Sequence, residues 1–343
     1  MTNKLVSIII VNWNGLEHLV KCFSSLKHQK YKNTEVILVD NASIDGSLDY
    51  IKKNFPKTKI IVNKENLGFA EANNIGCKIA KGDYILFLNN DTRVTTNFLI
   101  ELVKVLESAD EIGCVQSKIL LMDKPNRLDS IGSFFNQTGF LYHYGAYKKD
   151  LQKYNKQINL YSARGACMMF KKIVLENVKV KGEIFDKRYF AYFEETDLCH
   201  RVWLYGNRIV FVPKSVIYHK LGATSERLAG EFVQYNSYKN RICSYIKNLS
   251  LEKLLVDLPL HLFFCFEVLT LYLLRKKTRI AIAICKSIVW NFQNLKTTLY
   301  YRRIVQNRIR RREDNQFLPY ISKTAGLKYY FYVFFGDLKN YKE

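Results

Sequence analysis

The sequence predicts an α/β fold with a mostly parallel sheet and helices on both faces, followed by a basic helical C-terminal region. Three observations support this prediction. Short β-branched runs alternate with helical stretches over the first ninety residues, and polar clusters follow the strands directly. Beyond Tyr235 the pattern turns helical and the share of basic residues rises. We therefore divide the chain into a catalytic-type domain over residues 1–230 and a helical region over residues 231–343.

The N-terminal strands are predicted from continuous apolar runs, which are typical of strands covered on both faces. These runs are residues 6–11, 35–39, 59–62 and 84–88. The helical stretches between them favour parallel strands joined by right-handed crossovers. Ligands in such sheets bind beyond the carboxyl ends of the strands. We therefore expect Asn12, Asp40 and Asp91, each at a strand end, to converge on one rim. The less regular residues 122–160 are predicted to cross the sheet as an acceptor-side wall.

The composition is that of a folded chain, and its cysteine usage indicates a reducing compartment. The 343 residues are 48% hydrophobic and 24% charged. Eight cysteines are scattered without a CxxC pair, which favours reduced thiols and argues against a zinc site. The first ten residues enter an apolar strand without the pattern of a signal peptide. We expect a cytoplasmic protein.

The net charge of +22 is distributed unevenly. Residues 1–230 carry 33 basic and 23 acidic residues (+10), whereas residues 231–343 carry 20 and 8 (+12). Residues 268–312 contain twelve lysines and arginines and no acidic residue. Such a stretch indicates an anionic partner, which is either nucleic acid or a membrane surface.

Seven stretches of the chain together resemble one protein family. They are residues 6–15, 39–47, 66–76, 86–92, 165–170, 185–199 and 219–225. In this order they resemble the inverting glycosyltransferases of family 2, which have the Rossmann-like GT-A fold, and among these the bacterial rhamnosyltransferase-like branch. The resemblance implies transfer of a sugar, with rhamnose as one candidate, from a dTDP- or UDP-sugar donor. It also implies a glycan or polyprenyl-linked acceptor in cell-surface polysaccharide synthesis.

A divalent metal is expected at Asn89-Asn90-Asp91, which stands where the family has its DxD motif. A hard cation such as Mn²⁺ or Mg²⁺ would neutralise the departing diphosphate, and Asp91 is the one carboxylate that this triplet supplies. His219 resembles the family's late metal-binding histidine, and a mixed oxygen–nitrogen site favours Mn²⁺. The alternatives are that Asp91 caps a helix beginning near Thr95 and that His219 is structural.

The nucleotide-sugar pocket is expected around Asp40, whose carboxylate would accept a hydrogen bond from the pyrimidine ring of the donor by this resemblance. The same resemblance adds a set of asparagines and a glycine to the pocket: Asn12, Asn41, Asn66, Gly68, Asn73 and Asn90. The alternative for these residues is turn and capping chemistry.

Three carboxylates within residues 194–197 provide the candidates for the general base. Crowded carboxylates raise one another's pKa, which suits a base that deprotonates an acceptor hydroxyl. By its position in the family motif Glu195 is the expected base, with Glu194 able to share the role and Asp197 as a third candidate. Asp197 is also spaced to pair with Arg201 on a helix. The alternative is an ordinary acidic helix N-terminus.

The basic tail is expected to lie on a membrane surface. Residues 254–274 are long enough to span a bilayer, but Asp257, Glu267 and Pro259 oppose a span. A second helix is predicted to carry an apolar stripe at residues 284, 288, 292, 295 and 299. We therefore expect peripheral attachment to the inner face of the cell membrane. An ordinary basic helical subdomain is the alternative.

Two other functions fit parts of the sequence. The charge and the run of residues 308–312 suit a basic nucleic-acid-binding protein without transferase activity. The sequence has no recognised nucleic-acid module, so we expect no nucleic-acid partner. A nucleotidyltransferase is disfavoured, since residues 12–15 are not a glycine-rich phosphate loop.

Overall fold

The structure, a computed structural model, describes residues 3–222, 228–334 and 341. Residues 223–225, the end of the last family-like stretch, lie outside this part of the chain. The strands are β1 Val6–Asn12, β2 Thr34–Asp40, β3 Lys59–Val62, β4 Tyr84–Leu88, β5 Thr92–Val94, β6 Ile112–Leu121, β7 Lys124–Ser130, β8 Gly132–Phe134, β9 Tyr142–Tyr144, β10 Ile158–Asn159, β11 Cys167–Lys171 and β12 Arg208–His219.

Helices α1 to α6 lie between strands of the chain, whereas α7 to α12 all follow the last strand, β12. They are α1 Leu16–Lys27, α2 Ser47–Asn54, α3 Gly68–Ile79, α4 Phe98–Leu106, α5 Lys172–Asn177, α6 Glu194–Tyr205, α7 Gly230–Asn248, α8 Leu251–Leu274, α9 Thr278–Gln293, α10 Leu295–Ile304, α11 Leu318–Ile321 and α12 Leu327–Phe334. Helix α7 begins at Gly230, and the division of the chain into two domains at this residue stays a prediction.

The main sheet has the order β10-β12-β6-β11-β4-β1-β2-β3. Strands β3, β2, β1 and β4 are parallel neighbours, and β12 is parallel to β6. Strand β11 runs antiparallel between β4 and β6, so the sheet is mixed while most of its strands point the same way. The predicted α/β class is therefore confirmed.

The strand directions bring several chain segments to one rim. Asn12 and Asp40 lie opposite each other at the ends of β1 and β2. Strand β4 ends at Leu88, just before the Asn-Asn-Asp triplet. Since β12 points the same way as β4, His219 at its end reaches this rim as well. The expected convergence of strand ends is confirmed.

The helical region shares a hydrophobic core with the sheet. Buried Tyr245, Leu249 and Phe317 belong to the same core cluster as Phe87 of β4. The rings of Trp203 on α6 and Phe317 are stacked, with centroids 5.7 Å apart and an interplanar angle of 5°. Aromatic burial of this kind provides much of the packing energy of a core. The region after Gly230 therefore packs as part of the folded unit.

Residues 122–160 are more ordered than the sequence indicates. They contain β7, β8, β9 and β10, and β7 pairs with the C-terminal end of β6 in the main sheet. Phe140 packs with Tyr238 of α7 and Phe334 of α12, so this segment lies against the C-terminal helices. Its role as an acceptor-side wall stays a prediction.

Helix α8 is the one helix in the described part of the chain that is long and apolar enough to cross a membrane. Only 22% of its most apolar window is buried, so it is not a core helix. Asp257, which argues against a span, is buried against the protein and pairs with Lys253 at 2.9 Å. Glu267 is exposed on the outer face.

The predicted apolar stripe of the second helix is wrong in its register. Helix α9 ends at Gln293, and α10 starts anew at Leu295. Ile284 is fully buried in a small core cluster and Ile288 packs against it, whereas Phe292 is exposed. Because α9 is apolar on two sides, its periodicity alone does not tell which side faces the protein. The exposed apolar residues of α9 are Ile282, Val289 and Phe292.

Candidate active site

A cavity of about 290 Å³ opens at the rim where β1, β2 and β4 end. It is lined by eight of the predicted site residues: Asn41, Asn66, Gly68, Asn90, Asp91, Glu194, Glu195 and His219. Trp13 and Arg164, which the sequence did not single out, line it as well. The remaining predicted residues, Asn12, Asp40, Asn73 and Asp197, are buried outside its lining.

A larger cavity of about 1320 Å³ lies elsewhere, between α8 and the segment from Arg302 to Ala325. Its arginines already bind the protein itself: Arg302 donates to the carbonyls of Ile246 and Leu249, and Arg310 to that of Asn248. The smaller cavity holds carboxylates without hydrogen-bond partners, and such groups are what a transfer reaction needs. Chemistry rather than size therefore identifies the rim as the candidate active site.

Asp40 and Asn12 brace the floor of this cavity. Asn12 Nδ2 donates to Asp40 Oδ2 at 3.0 Å, and the Ser43 amide donates to Asp40 Oδ1 at 2.7 Å. Asn90 Nδ2 in turn donates to Asn12 Oδ1 at 2.7 Å. Asp40 and Asn12 are both 0% exposed. The contact of Asp40 with a pyrimidine ring stays a prediction, and it requires the loop after β2 to open.

Glycine at position 15 is required by the closeness of these two asparagines. A Cβ at Gly15 would lie 2.4 Å from Asn90 Nδ2 and 2.8 Å from Asn12 Oδ1. Real Cβ atoms do not approach that closely, so any side chain would push Asn90 away. The glycine thus leaves room for the hydrogen bond that joins Asn90 of the Asn89-Asn90-Asp91 triplet to Asn12.

A second set of amides shapes the wall at the start of α3. Asn41 Nδ2 donates to Asn66 Oδ1 and to the Gly68 carbonyl, both at 3.1 Å. Gly68 has a positive φ of 77°. These contacts show the turn chemistry that the sequence left as an alternative, on residues that also line the cavity. Asn73 donates instead to the Phe69 carbonyl within α3 and is buried.

His219 lies between two buried carboxylates. Its Nε2 is 3.2 Å from Asp91 Oδ1, and its Nδ1 is 2.6 Å from Asp129 Oδ2. Burial acts to lower the pKa of His219, but the Asp91 and Asp129 carboxylates outweigh it and raise that pKa to about 10. Strands β12, β7 and the turn before β5 supply these residues. Without a metal the ring is therefore a cation that balances the two aspartates, and a metal ion at Nε2 would take the place of the proton on that nitrogen.

The Asp91–His219 pair fits a divalent metal. Asp91 Oδ1 is buried and accepts no hydrogen bond of good geometry, although it faces His219 Nε2. A carboxylate on the far nitrogen of a histidine is the usual partner of a metal-binding imidazole, and Asp129 provides it. No group of three or more His, Cys, Asp or Glu side chains forms a metal cluster within the described residues. The remaining ligands would then come from diphosphate and water.

Asp91 does not cap the helix that follows it, as the alternative interpretation of the sequence suggested. Residues 92–94 form β5 directly after it, and the next helix, α4, begins at Phe98 with Asn97 before it. Asp91 is therefore separated from any helix N-terminus by a strand. Its position at the cavity follows from the strand end and not from helix capping.

Glu194 and Glu195 stand at the first turn of α6. One oxygen of each, Oε2, is buried without a hydrogen-bond partner. Burial first, and then the charge of Glu195, raises the pKa of Glu194 well above its ordinary value. Burial also raises the pKa of Glu195, although the nearby Arg164 partly offsets this. Both carboxyl groups therefore have the raised basicity expected of a general base.

The loop that leads to these glutamates is strained. Phe190, Tyr192 and Phe193 have positive φ angles of 58°, 71° and 69°. Left-handed backbone at large aromatic residues is costly and persists where the surroundings enforce it. Asn240 on α7 enforces it, because its Nδ2 donates to the carbonyls of Tyr189, Ala191 and Tyr192 at 2.9, 2.9 and 2.6 Å.

Asp197 lies behind the glutamates and not in the cavity. It is 0% exposed and pairs with Arg201 at 3.2 Å, as its helical spacing predicts. Lys247 lies 3.1 Å away, and Asn248 Nδ2 donates to it at 2.9 Å. Burial acts to raise the pKa of Asp197, but the charges of Lys247 and Arg201 together outweigh it and lower that pKa. The structure thus places Asp197, which the sequence offered as a third candidate for the base, in a buried ion-pair network outside the cavity.

Three functional positions escaped sequence reasoning. Asp129 lies in the irregular segment, Arg164 stands alone before Gly165, and Asn240 sits within a basic helix. Each acts through a partner far along the chain, so spacing carried no signal. The Asp129–His219 contact joins residues 90 positions apart.

Comparisons with known proteins agree with this geometry. A family model described as glycosyl transferase family 2 matches residues 7–179. The glycosyltransferase GlyG of Streptococcus pneumoniae is 26% identical over 219 residues, covering 61% of this chain and 68% of that protein. WfaP of Escherichia coli, a UDP-Glc:α-D-GlcNAc-diphosphoundecaprenol β-1,3-glucosyltransferase, is 37% identical over 107 residues, covering 31% of this chain and 42% of that protein.

Two crystal structures share the fold at low sequence identity. Staphylococcus aureus TarS 1–349, in complex with UDP-GlcNAc, has a TM-score of 0.56 at 15% identity and covers 88% of this chain and 90% of its own. The mannosyltransferase PcManGT of Pyrobaculum calidifontis, in complex with GDP-Man and Mn²⁺, has a TM-score of 0.53 at 15% identity. It covers 88% of this chain and 85% of its own. The architecture thus extends over most of the chain.

Proposed function

The chain belongs to glycosyl transferase family 2 and is a glycosyltransferase, and from this premise we propose that it works by metal-dependent inversion on a nucleotide-sugar donor. The proposed acceptor is a lipid-linked glycan at the cytoplasmic face of the membrane. The family assignment sets aside the alternative of a nucleic-acid-binding protein without transferase activity.

One observation carries this proposal: a single cavity is lined both by the Asp91–His219 pair and by Glu194 and Glu195. The first pair suits the diphosphate of a donor, since a carboxylate and an imidazole together bind a cation. The glutamates suit the acceptor hydroxyl. An inverting transfer needs these two functions on the same reacting centre.

The protein's own groups then divide the work. A divalent cation at Asp91 and His219 would neutralise the charge that builds up on the departing diphosphate. Asp129 keeps the proton on His219 Nδ1, which leaves Nε2 as the nitrogen that faces Asp91. Glu195 takes the proton of the acceptor hydroxyl as that oxygen attacks the anomeric carbon from the side opposite the leaving diphosphate. The bond to the diphosphate breaks, and the configuration inverts.

The donor is proposed to be a hexose or deoxyhexose on UDP or dTDP. The family resemblance supports dTDP-rhamnose, whereas the name of the relative WfaP specifies UDP-Glc. The same name specifies a diphosphoundecaprenol acceptor, which supports a lipid-linked acceptor for this chain. A role in cell-surface polysaccharide synthesis follows from such an acceptor.

Peripheral attachment to the inner membrane face is proposed for the basic helices. Residues 268–312 have twelve basic and no acidic residues, and α8 exposes most of its apolar length. Anionic lipid attracts such a surface, while the exposed apolar side chains gain by leaving water. Membrane lipid, not nucleic acid, is therefore the proposed anionic partner.

The direct test is donor turnover by the purified full chain. We expect one sugar nucleotide from a panel that includes UDP-glucose and dTDP-rhamnose to raise Tm with Mn²⁺ and to be consumed. NMR of the transferred sugar should show the inverted anomer. Asp91→Asn and Glu195→Gln should each stop transfer while circular dichroism stays unchanged. Wild-type turnover in both variants, or turnover unaffected by EDTA, would rule out the proposed mechanism.

A further inference from the structure

A groove of about 510 Å³ runs between α8 and α9 on the outer face of the helical region. Its walls are apolar: Leu269 and Leu273 of α8, and Ile282, Val289 and Trp290 of α9. This volume lies within the range of about 300–1,000 Å³ that is typical of sites for organic ligands. Within its described lining, Lys286 is the one charged side chain. An aliphatic chain matches such a lining.

The surface around the groove is apolar and unusually exposed. Phe263, Phe266 and Leu274 of α8 are 57%, 57% and 76% exposed, and Phe292 of α9 is 74% exposed. Large apolar patches on a soluble protein mark sites of interaction. Both helices that form the groove therefore carry large apolar side chains in contact with solvent.

The charges around this face are of one sign. Arg275, Lys276, Lys277 and Arg279 lie exposed at the turn that joins α8 to α9, beside the end of the groove. The absence of acidic residues from 268 to 312 leaves this charge uncompensated along the sequence. Phosphate groups at a membrane surface complement it. The combination of a cationic turn and an apolar groove favours a lipid over a second copy of this equally basic chain.

The groove lies near the catalytic cavity along α7. Tyr235, in the first half of α7, lines the groove, and Leu228, just before that helix, lines the catalytic cavity. Leu228 lies two residues before α7, and Tyr235 is the sixth residue of that helix. Phe232, between the two, packs against Phe190 of the strained loop, with ring centroids 5.5 Å apart. Both cavities thus have a lining residue near the N-terminal end of α7.

We propose that the α8–α9 groove binds the hydrocarbon chain of a lipid-linked acceptor, whose sugar end then reaches Glu195. This inference rests on the proposed function for its acceptor class. The groove would select acceptors by the presence of a chain, while the glutamates act on the hydroxyl. It assigns a ligand to the exposed groove of the helical region and accounts for the presence of this apolar groove near the polar catalytic cavity.

The test measures binding of farnesyl diphosphate, a short prenyl diphosphate, by Trp290 fluorescence. The signal is assigned with Trp290→Phe. The double variant Ile282→Glu/Val289→Glu changes two half-exposed groove residues, and we expect it to weaken binding at least tenfold. Leu255→Glu is the matched control: Leu255 is 66% exposed on α8 but outside the groove lining. It should leave the affinity unchanged.

Three results would overturn the proposal. They are equal affinity in the groove variant and the wild type, displacement of the probe by inorganic diphosphate alone, and a groove variant that turns a wild-type dimer into a monomer by analytical ultracentrifugation. Donor hydrolysis with Mn²⁺ is measured on the same samples and should be the same in all of them. If the wild type binds farnesyl diphosphate but consumes no donor, the proposed function fails while the groove assignment stands.

Discussion

The side-chain amide of Asn240 donates a hydrogen bond of 2.6 Å to the carbonyl of Tyr192. This contact joins the first helix of the C-terminal region to the strained loop that ends at Glu194 and Glu195. The same nitrogen also serves the carbonyls of Tyr189 and Ala191. The geometry of the site therefore depends on a helix that sequence patterns assign to another part of the protein.

Asn240→Ala should lower transfer by the folded enzyme, because the loop loses the donor that holds its left-handed residues. Leaving buried carbonyls unpaired costs about 1–3 kcal/mol of unfolding free energy. Urea unfolding and kcat measure the two effects. Asn291→Ala is the control, since buried Asn291 Nδ2 likewise donates to two carbonyls, those of Lys239 and Ser287. It should lose stability but keep kcat, and equal loss of kcat in both variants would contradict a specific role for Asn240.

Asp129→Asn should weaken Mn²⁺ binding by about 10–100-fold, because it removes the carboxylate that orients His219. Isothermal titration calorimetry with Mn²⁺ in the presence of UDP gives the affinity without any turnover. Asp123→Asn on the same hairpin is the control, since Asp123 pairs with the exposed Lys220. Unchanged affinity in Asp129→Asn would show that His219 does not need Asp129 to bind metal.

The rate of transfer should rise with pH through the raised pKa of the base. A glutamate accepts a proton only when ionised, and burial keeps Glu195 protonated above its ordinary pKa of 4.5. The acid limb of the kcat/KM profile should therefore lie above pH 4.5. In Glu195→Gln this limb should disappear, and the rate of transfer should fall by about 100- to 10,000-fold. Glu194→Gln should keep the limb, since Glu195 is still present to accept the proton. An unchanged limb in Glu195→Gln would assign the base elsewhere.

Acid should destabilise the fold through His143. Burial, and then the charge of Arg164, lowers the pKa of His143 from its ordinary 6.5 to about 3. Between these two pH values the unfolded chain binds a proton that the folded chain refuses. The free energy of unfolding should therefore fall as pH falls, by about 1.4 kcal/mol per unit from this one group.

Denaturant titrations from pH 7 to 4 measure that slope in the wild type and in His143→Gln. In His143→Gln the slope of the unfolding free energy against pH should be smaller by about 1.4 kcal/mol per pH unit, the contribution of one proton. His28→Gln, at an exposed site, should leave the slope as it is. Identical slopes in all three proteins would mean that His143 is protonated in the folded state.

Membrane binding should depend on the cationic turn. Reversing Lys276 and Lys277 to glutamate should reduce cosedimentation with vesicles containing phosphatidylserine, since each lysine near such a surface contributes about 1 kcal/mol. Lys52→Glu/Lys53→Glu, at exposed positions on α2, gives the same change of net charge far along the chain and should bind as the wild type does. Equal loss in both double variants would point to net charge instead of a defined surface.

The sequence predicted those parts of the site that depend on local pattern. Strand ends placed Asp91 at the rim, and helical spacing paired Asp197 with Arg201. What it missed depends on packing between distant segments. The amide of Asn240 has meaning only once three carbonyls of another segment surround it. Likewise, the two-sided apolar character of α9 gave no indication that Ile284 faces inward, which is why the predicted stripe was wrong.

The shared core sets where this enzyme can be recombined with its relatives. Helix α7 contributes Asn240, Lys247 and Asn248 to groups of the sheet domain, so a chimera joined at Gly230 would leave Asp197 with an incomplete set of partners. Leu249 and Ser250, between α7 and α8, form the first junction beyond the contacts of α7, and a chimera joined there must also keep an aromatic residue at Phe317, which stacks on Trp203. Exchange of the chain after Ser250 would replace α8 and α9 and would leave Asn240 in place beside the loop before α6. Such a chimera would allow acceptor preference to be changed separately from donor preference.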